Sequence, residues 1–65
     1  MKIDIIKLSL WMNEVGISCA ELACACEVSA TTIRNIKSGK SEGTLKLIGL
    51  IADALDVPTT YITKD

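Results

Sequence analysis

The chain contains no histidine. That removes the side chain that most often activates a serine or cysteine nucleophile, and it removes a common zinc ligand. The three cysteines are Cys19, Cys24 and Cys26, spaced C-x4-C-x-C. This spacing fits neither paired C-x-x-C knuckles nor a Cys/His finger. The odd count and the lack of a signal peptide speak against a disulfide framework, so reduced thiols in a cytoplasmic protein are expected. No paired acids or phosphate loop stand at a usable spacing, which excludes the common enzyme classes. No metal, cofactor or small-molecule substrate is expected. The longest uncharged run is seven residues, Val57 to Thr63, against about 20 for a membrane helix. Repeats, low-complexity tracts and linkers are all missing. At 65 residues the chain has room for a single domain, 1–65, burying about 60% of its unfolded surface.

Apolar residues, by contrast, are plentiful at 49%, with a mean hydropathy of +0.39. A small domain needs many polar groups to cover its surface, so this excess points to apolar surface reserved for a partner. The net charge of −1 is unevenly spread. Residues 1–28 carry two lysines against four acids, and residues 47–65 one lysine against three. Residues 29–46 carry Arg34, Lys37, Lys40 and Lys46 against Glu42 alone. The middle is therefore +3 between flanks of −2. Over a Debye length of about 8 Å a partner meets the local field rather than the total charge.

Helical periodicity dominates. A first helix is predicted from about Ile3 to Glu14, with Leu8, Trp11, Met12 and Val15 as its core stripe and Gly16 as its stop. Ser18-Cys-Ala-Glu21 has the form of a capping box. It opens a second helix to about Cys26, with Leu22, Ala23 and Cys26 inward. Ser29 opens a third helix, with Ile33 and Ile36 inward and Gly39 at its end. Thr44 caps a fourth to about Leu55, with Leu45, Ile48, Ile51, Ala52 and Leu55 on one face. Pro58 suits the first turn of a short fifth helix, Thr59 to Ile62. The fold class expected is all-α, a compact five-helix domain.

The second and third helices are joined by a short turn. Small Ala23 permits a close crossing, and Val28 fills the angle. The inward isoleucines leave Ala30, Thr31, Arg34, Asn35 and Lys37 facing out. This is the organisation of a helix-turn-helix pair. From Gly16 to Val57 the sequence follows the pattern G-I-S-x-x-E-L-A-x-x-x-x-V-S-x-x-T-I-x-x-I-x-x-G-K-x-x-x-T-L-x-x-I-x-x-I-A-x-A-L-x-V. That register resembles the XRE family, the Cro and phage-repressor type, and implies a lambda-repressor-like helix-turn-helix domain.

The resemblance implies double-stranded DNA as partner, with the third helix in the major groove. By position the base-reading residues are Ser29, Ala30, Thr31, Arg34 and Asn35. Asn pairs bidentately with adenine, Arg with guanine, and Thr or Ala packs on a thymine methyl. The phosphate-contacting positions are Cys19, Lys37, Ser38, Lys40 and Lys46. Three positions depart from the family pattern. Cys19 replaces a usual Gln, Met12 stands where many relatives carry a phosphate-binding Arg, and Glu27 stands where the turn usually has Gly. The first two imply fewer phosphate contacts and weak binding by a monomer.

Two apolar stripes remain, Ile3, Ile6 and Leu10 on the first helix and Leu47, Leu50 and Ala54 on the fourth. Either they are partly buried against neighbouring elements or they form a partner surface. In relatives the fourth helix and the segment after it dimerise. Here that implies a homodimer interface of Leu47, Leu50, Ala54, Val57, Pro58 and Tyr61. The function implied is a transcription regulator, a repressor by operator occupancy. The alternative is a protein-interaction module on the same fold, such as an antitoxin-like or anti-repressor partner.

Overall fold

The structure, a computed structural model, describes residues 2–64. Each helix begins where a side chain can satisfy free backbone amides. Asp4 Oδ1 accepts from the amides of Ile6 at 3.0 Å and Lys7 at 3.1 Å, so α1 spans Ile5–Val15. Ser18 and Glu21 form the reciprocal box, both bonds 3.1 Å, at the start of α2, Cys19–Cys26. Ser29 accepts from Thr32 N at 3.2 Å and opens α3, Ala30–Lys37. Thr44 accepts from Leu47 N at 3.1 Å and opens α4, Leu45–Leu55.

The ends are equally defined. Gly16 closes α1 in the left-handed region at φ 79°, its amide donating to Met12 O at 2.9 Å. α2 and α4 end the same way without glycine, on Glu27 (φ 58°) and Asp56 (φ 59°). The turn between α2 and α3 thus keeps its left-handed backbone and carries the strain of a Cβ.

Both ends of the chain depart from the sequence expectation. Lys2–Ile3 is a strand, β1, paired antiparallel with Thr63–Lys64, β2; Lys2 lies opposite Lys64 and Ile3 opposite Thr63. Asp4 caps α1, and its own amide donates to Ile62 O at 2.8 Å. The helix therefore cannot start at Ile3, and Ile3 is a core residue rather than part of an outer stripe. The predicted fifth helix is a single 3-10 turn, Thr59–Tyr61. It stops because the Thr63 hydroxyl donates to Thr59 O at 2.9 Å, Ile62 enters the core, and the next residues pair with β1. Among the described residues, four α-helices, a 3-10 turn and a two-stranded ribbon replace the five helices expected.

The core lies where α2 packs on α3 and α4, with α1 and the 3-10 turn closing it. Leu8, Leu22, Ile33, Ile36, Ile51 and Ile62 are its largest fully buried side chains. Each contributes about 1.5–3 kcal/mol on removal from water. Two residues assigned inward lie outside. Leu45 is 69% exposed and Val15 is 48% exposed. Both are terminal residues of their helices, beyond the reach of a packing neighbour. Trp11 sits at the margin and stacks on Tyr61, ring centroids 5.5 Å apart.

Candidate nucleic-acid interface

The α2–turn–α3 unit is fixed from beneath. Ile33 and Ile36, three residues apart, are buried on one side of α3. At about 100° per residue the opposite side is centred on Thr31, Arg34 and Asn35. Thr31 and Arg34 are exposed and Asn35 half-buried. Four residues separate Thr31 from Asn35, so the two side chains share one stripe with Arg34 beside them. Ser29 is exposed at the helix start, where its oxygen caps the helix and lies 2.9 Å from the Thr32 hydroxyl. Ala30 is half-buried and packs against the core. That stripe combines an amide, a guanidinium and a methyl-bearing hydroxyl, the side-chain set that reads base edges.

The segment after α3 is tied to the same helix. Asn35 O accepts from the Ser38 hydroxyl at 3.1 Å, Lys40 N at 2.9 Å and Ser41 N at 3.2 Å. Three donors on one carbonyl set the 38–41 backbone rigidly relative to the reading face. Lys40 is thereby held exposed just past the end of α3. The same bonds occupy the single hydroxyl proton of Ser38, which then has none to donate to an anion. Lys37 is half-buried, flanking the stripe at the end of α3, and Lys46 is exposed in the first turn of α4. Cys19 is half-buried at the first position of α2 and packs on the core. Its thiol is a weak donor, while the capping box leaves the other amides of that helix start free.

Burial pushes the Cys26 thiol above its ordinary pKa; it is a core residue. Among the described residues all three cysteines are unpaired, and no group of three or more His, Cys, Asp or Glu side chains could hold a metal ion. No helix among them is long and apolar enough to cross a membrane.

Leu47 and Leu50 are half-buried and exposed on α4, and with Val28 they line a groove of about 520 Å³ between the α2–α3 turn and α4. Glu27 and Lys46 stand on its walls. Ala54 and Val57 are half-buried, and Pro58 and Tyr61 exposed. Ile6 and Leu10 project from α1 at 73% and 63% exposure.

Two basic residues near this surface are not legible as part of it from sequence. Lys2 and Lys64 belong to acidic flanks in the chain, but the terminal ribbon sets both beside the 39–42 loop. The strands are two residues long, too short for an alternating pattern to register.

No curated protein matches the chain in sequence. The helix-turn-helix family model matches residues 8–62, from the first buried leucine of α1 to the isoleucine that seals the core. With the fold and the α2–turn–α3 geometry in agreement, the chain belongs to the XRE-type helix-turn-helix family of DNA-binding regulatory domains.

Proposed function

We propose that residues 1–65 form one domain that binds a specific duplex site and represses transcription by occupying it, with α3 in the major groove. The observation that carries this reading is the exposed Thr31–Arg34–Asn35 face on a helix whose other side is locked by Ile33 and Ile36. In it Ser29, Thr31, Arg34 and Asn35 meet base edges, with Ala30 as a close apolar neighbour. Lys37, Lys40 and Lys46, the Ser38 region and the amides at Cys19 meet phosphates. A homodimer through Leu47, Leu50, Ala54, Val57, Pro58 and Tyr61 sets two reading helices about one DNA turn apart. The groove beside Leu47 and Leu50 supports it, since an apolar floor between opposite charges suits a self-complementary contact. Selection of duplexes from a random pool, followed by titration at rising salt, tests the reading. A preferred sequence and a steep salt slope support it; equal binding to random DNA, or no salt dependence, overturns it.

The exposed Ile6 and Leu10 favour a second reading, a protein-interaction module on the same fold. Amide chemical-shift mapping separates the two. DNA moves residues 29–40, whereas a protein partner moves α1.

A further inference from the structure

The terminal ribbon carries an electrostatic oddity. In its register Lys2 stands directly opposite Lys64. Alternation turns their neighbours Ile3 and Thr63 into the core, both buried, so both lysines face outward on the same side. Residues directly opposite in an antiparallel pair have Cβ atoms about 4.5–5.5 Å apart, and like charges there are destabilising. The ribbon keeps this pair nonetheless.

What faces the two ammonium groups is the loop after α3. A cleft of about 210 Å³ is walled by Lys2 and Lys64 on one side and by Gly39, Ser41 and Glu42 on the other. Lys2 Nζ lies 3.8 Å from Glu42 Oε1, and Lys64 lines the same cleft. The wall is close-fitting: a Cβ on Gly39 would come within 3.3 Å of Ile5 Cδ1. Lys40 lies between Gly39 and Ser41, the two loop residues that line the cleft. The ribbon therefore sets two more positive groups, placed by backbone pairing, beside the loop that carries Lys40.

We propose that this ribbon is a second phosphate-contacting element, in which Lys2 and Lys64 take one backbone phosphate of bound DNA at the mouth of the cleft. The inference rests on the DNA-binding reading above. A phosphate there relieves the repulsion between the two lysines, and Glu42 opposes it.

The test uses the full chain and its selected duplex. Affinity is measured against salt for the wild type, for the double variants Lys2→Ala/Lys64→Ala and Lys2→Gln/Lys64→Gln, and for Glu42→Gln. Phosphate-ethylation interference is mapped on the same duplex. Either double variant should flatten the salt slope by about 0.9, erase interference at one phosphate per half-site, and keep the order of preference among sequences. Melting temperature should change little, because the like-charge pair and the exposed Lys2–Glu42 contact are removed together. Glu42→Gln should tighten binding. A wild-type protein that binds, with a slope and footprint unchanged in the folded double variants, overturns this assignment and leaves the DNA-binding reading intact. A wild type without salt-dependent DNA binding overturns both.

Discussion

Glu27 provides a sharp test of how the turn between α2 and α3 is built. Its backbone is left-handed at φ 58° and ψ 39°, where a Cβ costs about 1–2 kcal/mol. Its side chain is exposed and makes no hydrogen bond or ion pair among the described residues. The closing bonds are made by backbone: Glu27 N to Cys24 O at 3.2 Å and Val28 N to Ala23 O at 3.0 Å. Glu27→Gly keeps both bonds and removes the strain, while the unfolded chain gains about 0.5–1 kcal/mol of entropy. The net expectation is stabilisation by about 0.5–1 kcal/mol. For a domain of this size that raises the melting temperature by about 2–8 °C. Thermal and urea unfolding of Glu27→Gly, Glu27→Ala and Glu27→Gln give the answer. Alanine retains the Cβ and glutamine retains the strain without the charge, so neither should gain as much as glycine. If glycine melts at or below the wild type, or alanine matches it, the strain argument is wrong.

Three further outcomes follow from the proposed interface. Asn35→Ala removes a bidentate amide and should cost about 1–3 kcal/mol on the preferred site while relaxing selection at one base pair, read by repeating the selection with the variant. Lys40→Ala should weaken binding to all sequences alike and flatten the salt slope by about one unit in a fluorescence titration. Leu50→Asp should leave the fold intact, because Leu50 is exposed. In sedimentation it should shift the protein to monomer on a two-half-site duplex; a variant that still binds as a dimer would move the interface away from α4.

The helix-turn-helix unit is legible in the sequence because its determinants are local. A serine with a glutamate three residues on, isoleucines three apart and a glycine after the last turn each act within one or two helical turns. Ser18, Glu21, Ser29, Ile33 and Ile36 accordingly stand where those rules put them. The ends are illegible for the opposite reason. The ribbon joins Lys2 to Lys64, almost the whole chain length apart, and two-residue strands carry no periodicity. Leu45 fits the apolar stripe of α4 by spacing, but as the first residue of the helix it has no turn before it to pack against and stays exposed. Lys2 and Lys64 follow the same logic: summing charge along the chain assigns them to acidic flanks, whereas folding brings them beside the loop that carries Lys40.

That relocation changes how an acidic chain approaches DNA. Among the described residues, Lys2 and Lys64 added to Arg34, Lys37, Lys40 and Lys46, with Glu42 counted against them, sum to +5, and the other groups sum to −5. The molecule measures 27 Å along its longest axis. At about 0.15 M ionic strength the Debye length is about 8 Å, so a phosphate backbone feels the groups nearest to it. At about 0.01 M the length is about 30 Å and the acids anywhere on the molecule come within reach. Lower salt should therefore strengthen binding only until the two halves are felt together. A plot of log affinity against log salt should be linear near physiological salt and bend toward zero slope as 0.01 M is approached. Asp53→Asn with Asp56→Asn should straighten it, since asparagine also tolerates the left-handed backbone at position 56. A single straight line down to 0.01 M for the wild type would mean that the acids never enter the field DNA experiences, and that the partition of charge between the two sides has no bearing on association.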